Sequence, residues 1–144
     1  SAEHLIQASD NGIRAMAEQG VIAALLPATS FYLDKPYARA RKMLDEGVAV
    51  AVATDFNPGS SPNLNLQFAL NCACLRYKLT PAEVLTAVTL NAAAAIGRAD
   101  CSGSVEKGKK ADLIVWKAPD LDYSVYGYGS NLAGTVVKNG AVIR

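Results

Sequence analysis

An α/β fold built on a parallel sheet is what the sequence predicts, and three observations predict it. Val48-Ala49-Val50-Ala51-Val52-Ala53 runs without a polar break, which suits a strand covered on both faces. A second apolar run, Val21-Ile22-Ala23-Ala24-Leu25-Leu26, precedes it and stops at Pro27. Helical periodicity and short Gly- or Pro-marked connections lie between these runs, the βα alternation in which crossover helices cover a sheet. At 144 residues the chain is long enough for a real core, since a domain of that size buries roughly 70% of its unfolded surface.

Taken in order, Ser1-Ala2-Glu3-His4-Leu5 reads as a strand running into a loop, so the chain is expected to be part of something longer. Ser9 or Asp10 supplies the N-cap oxygen of a first helix, in which Ile13, Met16 and Ala17 share a face and Gly20 is the stop. After the second strand, Thr29 to Pro36 is expected to be a loop and Tyr37 to Glu46 a helix, with Arg39, Arg41, Lys42, Asp45 and Glu46 on a solvated face. Gly47 ends that helix before the central strand. Asn63 to Lys78 is expected to be helical, with Leu66, Leu70 and Cys74 on one side. Thr80-Pro81-Ala82-Glu83 is a capping box with proline at the first helical position, so a new helix starts there. Asn91 to Ile96 forms a further short helix before Gly97, its alanines suiting close packing.

The pattern then turns to β. Gly103 to Lys110 is a polar link, Ala111 to Trp116 is expected to be a buried strand, and Thr135 to Ile143 a hairpin turning at Asn139-Gly140. Tyr123, Tyr126 and Tyr128 lie between these among glycines and read as a packed surface loop. The division expected is therefore residues 1–102 and residues 103–144.

Composition narrows the function classes. Half the residues are apolar (51%) and the formal net charge is +1, which argues against disorder and gives no footprint for nucleic acid or an anionic membrane. The apolar runs are strand-length, and no charged-then-apolar signal segment opens the chain, so a soluble cytoplasmic protein is expected. Cys72, Cys74 and Cys101 are odd in number. A C-x-C pair on a helix points its thiols to different sides, which suits buried structural cysteines better than a metal clip.

Chemistry concentrates just past the central strand, in Thr54-Asp55-Phe56-Asn57-Pro58-Gly59-Ser60-Ser61-Pro62. Asp55 is a carboxylate raised where a buried strand gives way to a loop, placed either to bind a metal and move a proton or only to cap the following turn. The loop behind it is made of turn residues whose backbone N–H groups are free to face an anion.

This stretch, with Ser-Ala-Glu-His4-Leu, Leu-Leu-Pro27 and the Thr29-Ser-Phe-Tyr-Leu segment before it, resembles the C-terminal part of the imidazolonepropionase family in the amidohydrolase superfamily. Thr89-Leu-Asn91-Ala-Ala and Gly103-Ser-Val-Glu-Lys-Gly108-Lys-Lys-Ala-Asp112-Leu-Ile-Val-Trp resemble the closing pattern of the wider superfamily. The resemblance implies the last βα units of a distorted (β/α)₈ barrel over residues 1–102 and a piece of the adjoining β-sandwich over 103–144. It implies hydrolytic opening of the ring of 4-imidazolone-5-propanoate to N-formimidoyl-L-glutamate, a step of histidine degradation. It also implies one divalent metal, zinc or iron, held in part by Asp55, which is catalytic together with His4. Asn57, Gly59 and Ser60 are the implied contacts to the substrate propionate.

The histidine ligands that the family draws from its first and fifth barrel strands, and its catalytic glutamate, have no counterpart in the sequence. One Asp with a His nearby falls short of the three protein ligands a catalytic zinc ordinarily needs, so the chain alone is expected to be inactive and to require the N-terminal part of the same enzyme. Unpaired strand edges are expected to invite a homodimer. Two alternatives remain: another amidohydrolase acting on a nucleobase-like ring, and a non-catalytic association domain.

Overall fold

Three short parallel strands carry the first sheet of the computed structural model, which describes residues 1–144. They are β1 (Ala2–Glu3), β2 (Ala23–Leu25) and β3 (Val50–Val52), hydrogen-bonded in that order. Between β1 and β2 runs α1 (Asp10–Glu18); between β2 and β3 lie α2 (Pro27–Tyr32) and α3 (Ala40–Asp45). After β3 come α4 (Leu66–Tyr77), α5 (Pro81–Val88) and α6 (Leu90–Ala95). All three residues of β3 are buried, as expected of a strand covered on both faces.

The core lies where these helices meet the strands. Ile13, Leu25, Met43, Val48, Val50, Val52 and Val84 are fully buried there. Local signals set the helix ends. The Ser9 hydroxyl accepts the N–H of Gly12 and starts α1. Thr80 and Glu83 form both halves of the capping box. Glu83 also accepts a hydrogen bond from Arg41 at 2.7 Å, and that bond, ahead of the N–H of Thr80, lowers its pKa. On the outer face, Asp10 accepts from both Arg39 and Lys42 at 2.6 Å and ties α1 to α3.

One edge of the sheet is partly closed by side chains. Ala23 N–H donates to the Ala49 carbonyl and Ala53 N–H to that of Leu25, so odd-numbered residues of β3 face β2 and even-numbered ones face the open edge. At that edge the carbonyl of Val50 accepts from Asn91 Nδ2 at 2.8 Å and the carbonyl of Thr54 accepts from Ser61 Oγ at 2.7 Å.

The second sheet is antiparallel, in the order β4 (Leu113–Trp116), β5 (Ala133–Lys138), β6 (Ala141–Val142). Asn139 and Gly140, both at positive φ, make the predicted two-residue turn. A helix, α7 (Leu121–Tyr126), interrupts this unit and reaches back to the first. Val125 joins the main core, its carbonyl accepts from Asn71 at 3.0 Å, and Gln67 Oε1 accepts the N–H of Leu132.

Five sequence expectations are corrected. The Thr29–Pro36 loop is helical at its start, because Pro27 does not end β2 but opens α2 as its first residue. The helix expected from Tyr37 begins only at Ala40. The tyrosine-rich loop contains α7, capped by Asp120, whose carboxylate accepts the N–H of Tyr123. On α4 the buried face runs through Ala69, Leu70, Cys72 and Ala73, leaving Leu66 exposed. β4 is not buried: Leu113, Ile114 and Val115, which alternate between its two faces, are all exposed.

Candidate active site

Three successive strand ends deliver one side chain each to the same rim of the first sheet. His4 follows β1 directly, its N–H continuing the ladder to the carbonyl of Ala24 at 3.0 Å. Thr29 enters on the first turn of α2, just after β2. Asp55 comes three residues after β3. Because the strands are parallel, all three arrive at the C-terminal ends of the strands, where α/β folds place their chemistry.

The side chains converge on one oxygen. Thr29 Oγ1 donates to Asp55 Oδ2 at 2.7 Å, and His4 Nε2 lies 4.0 Å from the same atom. Thr29 is 7% exposed, whereas the Asp55 side chain is 27% exposed and that of His4 48%. The pair is therefore anchored from below and open above. Asp55 Oδ1 takes no hydrogen bond from the protein.

Backbone torsion contributes to the placement. His4, Leu5 and Asp55 all have positive φ, at 61°, 58° and 52°, a region costly for residues with a Cβ. Two of the three are the imidazole and the carboxylate of the rim, where strained torsions commonly gather.

Asn57, Gly59 and Ser60 form a closed turn beside Asp55. Asn57 Oδ1 accepts the N–H of Gly59 at 3.0 Å and of Ser60 at 2.8 Å, while Nδ2 donates to the carbonyl of Asp55 at 2.8 Å. Asn57 and Ser61 pair as an isolated bridge, and Ser61 is buried. The two backbone donors of the turn thus converge on one point, held by the asparagine's own oxygen. The structure brings His4 and Asp55 together and sets the 57–60 turn next to them in the chain; Thr29 is the site residue that sequence reasoning missed. Its signals were a hydroxyl two residues past the proline that follows an apolar strand, and its place in the Thr29-Ser-Phe-Tyr-Leu segment.

A carboxylate with one uncommitted oxygen, at a strand end and near an imidazole, fits one ligand of a divalent cation. No group of three or more His, Cys, Asp or Glu side chains is assembled to complete such a site. The three cysteines are free, with Cys72 buried, and burial pushes its thiol pKa up. A cavity of about 750 Å³ lies elsewhere, between α5–α6 and β4, and is mostly apolar, with Val84, Leu85, Val88 and Ile114 in its walls. No helix is long and apolar enough to cross a membrane.

The amidohydrolase family pattern matches residues 2–142. The chain is 54% identical over 144 residues to an imidazolonepropionase of Treponema denticola, covering 99% of this chain and 35% of that protein. It is 55% identical over 143 residues to the imidazolonepropionase of a Geobacillus species, covering 99% of the chain and 34% of that protein. The chain therefore spans about a third of the length of these relatives. Among solved structures, an adenosine deaminase of Xanthomonas campestris with bound zinc superposes at a TM-score of 0.89, with 26% identity over 98% of this chain and 36% of that one. A variant of the atrazine chlorohydrolase of Arthrobacter aurescens, complexed with zinc and atraton, superposes at 0.86 with 28% identity over 98% and 35%. With an imidazole and a carboxylate at one rim of a parallel sheet and a family match over nearly every residue, the chain belongs to the amidohydrolase family.

Proposed function

We propose that this chain is the C-terminal third of an imidazolonepropionase, carrying barrel strands six to eight over residues 1–102 and part of the β-sandwich over 103–144. The observation that carries the reading is the meeting of His4 and Asp55 at 4.0 Å on one rim, in a chain about 54% identical to imidazolonepropionases along its whole length. The reaction is hydrolysis of 4-imidazolone-5-propanoate: water adds to the ring carbonyl, the carbon–nitrogen bond breaks, and a proton passes to the departing ring nitrogen, leaving N-formimidoyl-L-glutamate.

A divalent ion, zinc or iron, supplies Lewis acidity when bound, polarising the carbonyl and lowering the pKa of water to about 7. Asp55 is the residue of this chain that would hold it, the remaining ligands coming from the rest of the enzyme. Asp55 also takes the proton of the attacking water and passes it to the leaving nitrogen, which its partly exposed position allows. His4, whose Nε2 lies 4.0 Å from Asp55 Oδ2, donates to the oxygen on which charge develops. The 57–60 turn receives the propionate, and Asn57, which accepts the N–H groups of Gly59 and Ser60, holds the turn in the shape that the carboxylate meets.

The open strand edges take up the remaining two thirds of the enzyme, and the complete subunits pair as a homodimer. A cytoplasmic setting suits three free thiols. A second reading, an aminohydrolase of nucleobase-like rings, is favoured only by the adenosine deaminase likeness, at 26% identity. Assay of the full-length polypeptide bearing this sequence decides between them. Turnover of the imidazolone, with none by the 144-residue chain alone, is expected; turnover of adenosine instead would overturn the proposal.

A further inference from the structure

We infer that Thr29 is a positioning residue that fixes which oxygen of Asp55 is left for the ion and which for the proton, an inference that rests on reading the rim as an amidohydrolase centre. The carboxylate torsion of an aspartate is broad and nearly two-fold, so nothing intrinsic to Asp55 distinguishes its two oxygens. The 2.7 Å bond from Thr29 Oγ1 does. It commits Oδ2 to the buried side, within 4.0 Å of His4, and leaves Oδ1 free of protein donors.

The use of this hydroxyl is unlike that of other helical threonines in the chain. Thr86 and Thr89 donate to the carbonyls of Ala82 and Leu85, four residues back in their own helix, the ordinary local outlet for such a side chain. Thr29 also sits on a helix, yet its hydroxyl crosses from the end of β2 to the end of β3, 26 residues away. Its placement is stiff. The side chain is β-branched, the residue is 7% exposed, and its backbone N–H is tied to the carbonyl of Leu26 at 3.2 Å. At the other end, the positive φ of Asp55 sets the direction of the carboxylate through a torsion with little room to adjust. The bond is thus held from both ends by backbone, as a support for a reactive carboxylate has to be.

The test compares Thr29→Val, which keeps the shape and removes the hydroxyl, with Thr29→Ser, which keeps the hydroxyl, in the full-length polypeptide. Zn²⁺ affinity is measured by chelator competition beside kcat and KM. Partners of this kind are worth about 10- to 100-fold in affinity or activity. Thr29→Val is expected to lose about that much in kcat and in zinc affinity with KM within about two-fold, and Thr29→Ser to recover to within about three-fold. Unchanged zinc affinity and kcat in Thr29→Val would overturn the inference, as would an equal loss in Thr29→Ser, which would make the role one of packing. If the wild type fails to open the imidazolone ring, the proposed substrate is wrong, and the inference stands or falls on zinc affinity alone.

Discussion

Asn91 Nδ2 donates to the carbonyl oxygen of Val50 at 2.8 Å, joining residues 41 apart. It serves the edge of β3 that no strand covers, and the carbonyl it caps belongs to one of the most buried residues in the chain. Asn91→Ala leaves that oxygen without a partner, and a loss of about 1–2 kcal/mol is expected. The urea midpoint should fall with its slope unchanged; an unmoved midpoint would mean that water replaces the amide at no cost.

Gly103 makes a sharper prediction. Its φ is +93°, and a Cβ there would lie 2.7 Å from the Cβ of Ala93 and 2.9 Å from the carbonyl oxygen of Thr89. Strain and overpacking combine in Gly103→Ala, for an expected loss of about 2–4 kcal/mol. The same substitution at Gly140, which shares a positive φ but meets no atom, should cost about 1 kcal/mol. Thermal unfolding of the two variants side by side tests the ordering.

Acid stability is linked to Asp10. Hydrogen bonds from Lys42 and then Arg39 hold its carboxyl at about 2, against an ordinary 3.8. The folded state therefore binds the proton less readily than the unfolded chain, so the contribution is present above about pH 4 and is lost as pH falls towards 2. Asp10→Asn should differ from wild type in urea midpoint at pH 6 and converge with it near pH 2. Because the group is exposed, 1 M salt should shrink the difference at pH 6.

In the full-length polypeptide, Asp55→Asn is expected to lower turnover by at least about 10³-fold and to reduce bound metal. Retention of both activity and metal would remove this carboxylate from the chemistry. The scale follows from losing a group that ligates and moves a proton at once.

Asn57→Ala should act differently, raising KM for the propionate-bearing ring more than for an analogue without that carboxylate while leaving metal content intact. Equal effects on the two substrates would assign Asn57 to holding the turn alone.

Much of this was legible in the chain because the signals were local. The run from Val48 to Ala53 announced a doubly covered strand, Thr80 and Glu83 a helix start, and Asn139-Gly140 a hairpin, each complete within a few residues. The carboxylate at residue 55 could be read from its place after an apolar strand. Where two signals competed, local reading failed: Pro27 served as the first residue of α2 instead of a stop, and Asp120 capped a helix that neighbouring glycines and tyrosines disguised. The hydroxyl of Thr29 was invisible for another reason. Its partner is 26 residues away, and only the parallel pairing of β2 with β3 makes them neighbours.

The left-handed torsions of His4 and Asp55 set a boundary on how this chain can be engineered. Glycine, and to a lesser degree asparagine, would relax either position, and neither carries an imidazole or a carboxylate. A hardier variant must consequently find its gains at a distance from the rim, because a stabilising change at either position trades away a reactive group.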